Sequence, residues 1–111
     1  MRKDVAPGEW IASGRFLLVN SGGAERTIVA RIGRPYDTGE GDWRCPVEIE
    51  GFDGRVPDIS GADSPQSLCL AITSVRLILE AFIAKGWKVL DPDDRGELSV
   101  AGIAAIFGKN V

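Results

Sequence analysis

Apolar residues return with helical period in one long stretch and with strand period in several short ones. The long stretch is Ser64 to Lys85, S-P-Q-S-L-C-L-A-I-T-S-V-R-L-I-L-E-A-F-I-A-K. Asp63 or Ser64 caps its first amides, Pro65 sits where a missing N–H costs nothing, and Gln66 completes a D-x-x-Q capping box. Gly86 is the stop. About 21 residues at 1.5 Å each predict a helix about 31 Å long, enough to cross a small sheet. Stepping 100° per residue places Leu68, Ala71, Ile72, Val75, Ile78, Leu79, Phe82 and Ile83 on one apolar face, which predicts core. Cys69, Thr73, Arg76 and Glu80 form a narrow polar stripe. Beyond it runs a second apolar ridge of Leu70, Leu77 and Ala81, which an ordinary surface helix does not carry. That ridge requires a cover: the C-terminal segment, a second subunit or a ligand.

The strand signals come before and after this helix. Trp10–Asn20 (W-I-A-S-G-R-F-L-L-V-N) predicts a first strand with a bulge at Gly14, and N-S-G-G at Asn20–Gly23 a turn. R-T-I-V-A-R-I-G-R is the second strand, with Ile28, Ala30 and Ile32 on one face and Thr27, Val29 and Arg31 on the other. W-R-C-P-V-E-I-E alternates Trp43, Cys45, Val47 and Ile49 inward with Arg44, Pro46, Glu48 and Glu50 outward, and Pro46 predicts an edge or a bulge. F-D-G-R at Phe52–Arg55 signals a tight hairpin, from which R-V-P-D-I returns as a short fourth strand limited by Pro57. Trp87–Leu90 is a brief strand candidate. The tail S-V-A-G-I-A-A-I-F-G predicts a short helix with Ser99 as cap, Gly108 as stop and Val100, Ile103, Ala104 and Phe107 on one side. It is marginal alone, and the ridge of Leu70 and Leu77 is its expected dock.

These elements predict an α+β fold: an antiparallel sheet of three to four strands, the long helix packed across one face, and a short C-terminal helix. Residues 1–9 read as a flexible lead-in and 10–111 as a single domain. No repeat or low-complexity segment interrupts it. With 111 residues, 44% hydrophobic and 26% charged, the chain is long enough to own a core without disulfides or metal.

Charge narrows the function classes. The net charge is −3, with eight basic and ten acidic residues in 1–60 against five and six in 61–111. No basic arm is present for neutralising phosphates, so nucleic acid is not an expected partner. Arg76 and Glu80 in the middle of the apolar run argue against a membrane span. The start, M-R-K-D-V-A-P-G-E-W, lacks a signal-peptide pattern, so a cytoplasmic location is expected. Cys45 reads as an inward strand residue and Cys69 as a first-turn helix residue, where a thiol pKa can fall. Two free thiols are the plain expectation.

Two loops invite a chemical reading and fail it. P-Y-D-T-G-E-G-D (Pro35–Asp42) has the glycines of a phosphate cradle, but no lysine follows and three acids line it. D-P-D-D-R-G-E-L places Asp91, Asp93 and Gly96 at positions 1, 3 and 6 of a calcium loop. Arg95 then occupies position 5 and Gly102 the place of the bidentate acid. No metal or other cofactor is expected.

Two motifs together carry a resemblance. W-x-C-x-x-x-I-x-G-F (Trp43 to Phe52) is followed by G-x-D-S-x-Q-S-L-x-L-A-I (Gly61 to Ile72). In this the chain resembles a family of small uncharacterised bacterial proteins classed as a domain of unknown function, over residues 10–90. The resemblance implies the same order of elements and a bacterial origin, and it brings no activity or site residues.

Enzymatic function is not expected, because the chain has no histidine, the usual base near neutral pH. Glu48 and Glu50, about 7 Å apart on one strand face, have the separation of a glycosidase pair, yet exposed acids on a wet strand need no such role. The alternative of an enzyme using carboxylates rests on them alone. A polypeptide-binding protein, immunity-like or regulatory, fits better: Arg31, Arg34, Tyr36 and Arg44 are interface-type residues on the sheet's free face or rim. Leu70, Leu77 and Ala81 offer a second interface on the helix side, which would also serve a homodimer.

Overall fold

The computed structural model describes residues 9–51 and 56–107. All but Glu9 of the expected lead-in over 1–9, the Phe52–Arg55 turn and the Gly108 stop lie outside those residues. The elements run β1 (Trp10–Val19), β2 (Glu25–Gly33), β3 (Tyr36–Asp37), β4 (Trp43–Cys45), β5 (Val47–Glu50), β6 (Ile59–Gly61), α1 (Ser64–Ala84), β7 (Lys88–Leu90), β8 (Glu97–Leu98) and α2 (Val100–Phe107). The fold is α+β. Its strands form two antiparallel sheets rather than one: a five-stranded sheet in the order β5-β2-β1-β7-β8, and a three-stranded sheet in the order β3-β4-β6.

The β1–β2 hairpin frames the larger sheet. Asn20 Oδ1 accepts from the amides of Gly22 and Ala24, and Gly23 takes φ +87° to close the turn. Phe16 then faces Ile28 and Gly14 faces Ala30. The one irregularity lies between Trp10 and Ala12, so the bulge is at Ile11 and not at Gly14, which stays in register. Phe16, Leu18, Ile28, Ala30 and Ile32 enter the core, as the alternation predicts, and Leu17 is buried on the opposite side of the sheet.

Pro46 is where the expected third strand divides. Residues 43–45 pair with β3 and β6, whereas residues 47–50 pair with β2, so a single alternating run serves both sheets. Gly33 N donates to Pro46 O (2.9 Å), and a Cβ on Gly33 would lie 3.1 Å from the proline ring. Proline lacks the N–H that continued pairing needs, and the strand changes sheet there. The fourth strand begins only at Ile59, after Pro57, and pairs with β4.

Helix α1 joins the sheets. Asp63 Oδ1 accepts from Gln66 N (2.8 Å), while the Gln66 side chain reaches back to the amide of Ala62, one residue before the cap. At the far end Gly86 takes φ +95°, with Gly86 N donating to Ile83 O and Trp87 N to Phe82 O, both 3.0 Å. This is a Schellman stop, and its apolar contact is the edge-on pair of Phe82 and Trp87, 5.9 Å between centroids. The buried face is Ser67, Ala71, Val75, Leu79 and Phe82, with Leu68, Ile72, Ile78 and Ile83 half-buried around it. That face packs on β4 and β6 of one sheet and on β2 and β7 of the other. By length and composition alone α1 resembles a membrane span, but one side of it is seated on strands.

Helix α2 is capped by Ser99, whose Oγ accepts from Gly102 N (3.1 Å). It packs against α1, but not on the expected ridge. Ile103 is fully buried in the common core and Phe107 lies 6.0 Å from Phe16, while Leu70 and Leu77 stay 42% and 52% exposed. The helix sits where β8 delivers it, beside the core opening left by β1, and so covers core rather than ridge.

Two sets of substitutions test this packing. Phe82→Ala should cost about 3–5 kcal/mol and Leu79→Ala about 2–5 kcal/mol in urea unfolding, with Thr73→Ala nearly neutral. A neutral Phe82→Ala would mean that α1 is turned differently. A Cβ on Gly61 would lie 2.5 Å from Ser67 N. Gly61→Ala should therefore cost about 1–3 kcal/mol, whereas Gly22→Ala, whose methyl meets only Asn20 Oδ1 at 3.4 Å, should leave the midpoint unchanged.

Candidate functional site

The four interface candidates do not form one surface. Arg31 lies on β2 of the larger sheet, directly opposite Glu48 on β5. Its guanidinium donates to Glu50 Oε1 (2.8 Å) and Glu48 Oε1 (3.4 Å), and the Glu50 bond raises its pKa further. Tyr36 and Arg44 face each other across β3 and β4 of the smaller sheet. Tyr36 OH donates to Asp58 Oδ2 (2.7 Å) and Arg44 Nε to Asp42 Oδ2 (3.3 Å). Arg34, in the connection between the sheets, pairs with Glu9 (3.2 Å). Each cation therefore already has an acidic neighbour. These pairs are solvent-screened and weak, so they orient the side chains more than they stabilise the fold. Glu48 and Glu50 converge on one guanidinium, so the pair is occupied by Arg31 rather than open to a substrate.

The glycine-rich loop before β4 is closed on itself. Thr38 N donates to Asp42 O (3.1 Å), Gly39 N to Asp37 Oδ1 (2.9 Å) and Glu40 N to Thr38 Oγ1 (3.2 Å). The hydroxyls of Thr38 and Ser60 both donate to the Asp42 carboxylate, and with Arg44 they hold its pKa below the usual range. The amides of Thr38, Gly39 and Glu40 are spent on these turns rather than turned to a ligand, and Asp42 ties the β3–β4 hairpin to β6.

The loop after β7 is closed in the same way. Asp91 Oδ1 accepts from Asp93 N (2.8 Å) and Asp94 N (3.3 Å), and Asp91 N donates to Gly96 O (2.9 Å). Arg95, at φ +59°, reaches Glu25 on β2 (2.7 Å), and this partner lowers the Glu25 pKa. Among the described residues no group of three or more metal-ligating side chains is assembled. Cys45 is buried, donates to Gly33 O (3.3 Å) and has its pKa pushed up to about 11 by burial; Cys69 is exposed on α1.

Two concave regions lie among the described residues. One is a shallow groove of about 420 Å³ lined by Arg34, Pro35, Trp43, Ser64, Pro65 and Leu68. The other, about 170 Å³ and almost wholly apolar, opens between β1 and α2, with Ala12, Gly14, Ala30 and Ile32 as floor and Val75, Ile106 and Phe107 as wall. Sequence reasoning missed the second. Its only local signal is the small triplet Ala12-Ser13-Gly14 inside a strand of large residues. The large apolar side chains left exposed on the helices are Leu70 and Leu77 on α1, with Ala81 also exposed beside them, and Val100 and Ile106 on α2.

No curated protein and no solved structure matches the chain. One family model does, over residues 13–99, from the middle of β1 to the cap of α2 and so beyond the Leu90 limit of the resemblance noted above. The chain belongs to this family, described as a domain of unknown function (DUF6968).

Proposed function

We propose that this chain is a small non-enzymatic bacterial protein of the cytoplasm that binds another polypeptide, as an immunity-like or regulatory partner does. The observation that carries the reading is the uncovered helix side. Leu70 and Leu77 remain 42% and 52% exposed although α2 docks on the same helix, and Val100 and Ile106 add exposed apolar area on α2. Burying such side chains against a partner recovers about 25 cal/mol per Å², and a helix face suits that use because it is rigid before binding. Arg31, Arg34, Tyr36 and Arg44 carry less of the reading, since they do not share one surface and each already has an intramolecular partner. The lack of histidine and the engagement of Glu48 and Glu50 by Arg31 weigh against the carboxylate-enzyme alternative.

A homodimer is the second reading, favoured by one feature. Leu70 and Leu77 are seven residues apart, the spacing that lets two copies of a helix pair along a common seam. Sedimentation of the wild type and of the Leu70→Glu/Leu77→Glu double variant separates the two. Under the leading reading the wild type is monomeric through the micromolar range. A photo-crosslinker at Leu77 then captures one defined protein in the native host, and the double variant loses it with its melting temperature intact. A wild-type dimer dissolved by the double variant establishes the homodimer instead. A monomer that crosslinks to nothing removes both readings.

A further inference from the structure

The first half of β1 is an open sheet edge. In the β1–β2 turn Asn20 N donates to Ala24 O and Gly23 N to Asn20 O, both 3.0 Å. With the observed register this makes 18–26, 16–28 and 14–30 the hydrogen-bonded pairs, and odd-numbered residues of β1 turn their N–H and C=O the other way. At Leu17 and Val19 those groups meet Leu90 and Lys88 of β7. At Ser13 and Arg15 no strand follows among the described residues. Two steps further in register Arg15 would face Pro92, which has no N–H, and Asp91 N has already turned back to Gly96 O. Edges of this kind are normally covered or blunted by charge, and the charge this one carries is Arg15, beside the small residues Ser13 and Gly14.

Beside that edge lies the apolar cavity of about 170 Å³. The two features belong together. Ala12 and Gly14 alternate onto the inner face, next to Ala30 and Ile32, and their small size is what leaves the cavity. A residue on an added strand opposite Gly14 would point into it, against Val75, Ile106 and Phe107. Ile106, at 56% exposed, forms the outer wall. On the other face, the added residue opposite Arg15 would meet its guanidinium. Among the described residues that group pairs with the 87% exposed Asp93, at 3.3 Å. Strand β5 already has the matching composition at the opposite edge of the sheet: V-E-I-E lies on β2 with Val47 and Ile49 buried and Glu48 and Glu50 on Arg31.

We propose that the open edge of β1 at Ser13 and Arg15, with the adjoining apolar cavity under Ile106 and Phe107, takes up an extended segment of a partner protein in which apolar residues alternate with acidic ones. The segment adds a strand to the five-stranded sheet. Its apolar side chains fill the cavity opposite Gly14 and Ala12, and its acids face Arg15. This goes beyond the helix-side reading and, although Ile106 borders both surfaces, needs neither Leu70 nor Leu77, so Leu70→Glu/Leu77→Glu leaves it intact.

Amide-resolved NMR on the full chain tests it, with a capped hexapeptide of alternating valine and glutamate as probe. The Ser13 and Arg15 amides should exchange fast in the free protein, then shift and become protected as the peptide saturates. Ser13→Pro removes only the outward N–H, because Ser13 does not donate to β2, and should weaken binding by about tenfold or more. Ile106→Glu should weaken it similarly, and Arg15→Glu should reverse the preference toward a valine–lysine peptide. Should Ser13→Pro fail to fold, a peptide N-methylated at its edge-facing amides supplies the same loss without touching the protein. The proposal is overturned if the peptide leaves Ser13 and Arg15 unshifted, or if the valine–lysine peptide binds the wild type equally well. Protection of those amides in the free chain at every concentration would assign the edge to the chain itself. Protection that grows with protein concentration would assign it to a second copy, and either result also overturns the proposal.

Discussion

Ser67, in the first turn of α1, lies so close to Gly61 at the end of β6 that no side chain fits between them. This approach sets the rest of the architecture. It anchors the N-terminus of α1 on the three-stranded sheet, while Phe82, with Trp87 beyond the stop, anchors its other end next to β7 of the five-stranded sheet. One rigid helix is thereby shared by two sheets that are otherwise joined by the Arg34–Pro35 connection, by the crossing at Pro46 and by the chain from β5 to β6. Ala71, Val75 and Leu79 are fully buried, so the two sheets have one common core.

The same arrangement explains what is left open. A helix seated through one face on two sheets cannot also cover its own back, and the Leu70–Leu77 ridge stays in water. Helix α2 follows β8, an outer strand of the larger sheet, and reaches back only as far as Phe16. The first half of β1 therefore has a helix near one face and nothing along its edge among the described residues. Both apolar exposures follow from where the elements are seated rather than from a lack of greasy residues.

Much of this was legible in the residues. The bounds of α1 followed from the Asp63–Gln66 cap and from Gly86, because those signals act locally. The inward set of Ile28, Ala30, Ile32, Cys45, Val47 and Ile49 followed from period-two alternation. The division into two sheets did not, since the alternation continues unbroken through Pro46 and only long-range pairing shows that its halves part. The two-residue strand β8 carries almost no pattern, and the pairing of β7, itself a strand candidate in the sequence, with β1 joins positions about seventy residues apart in the chain. The bulge at Ile11 was misplaced to Gly14 because a glycine is the usual sign of one. Of the candidate site, the polar character of Arg31, Arg34, Tyr36 and Arg44 could be read off. Their acidic neighbours on other elements, Glu9 and Asp58 among them, could not.

The central claim is that α1 fastens two sheets into one cooperative unit. Native-state hydrogen exchange measures this directly. The amides of Trp43 and Cys45 in the small sheet and of Ile28 and Ala30 in the large one should open with the same free energy as those of Val75 and Leu79, and that energy should equal global unfolding. If the small-sheet amides open at a distinctly lower free energy while Val75 and Leu79 stay protected, the sheets are separate units and the account is contradicted.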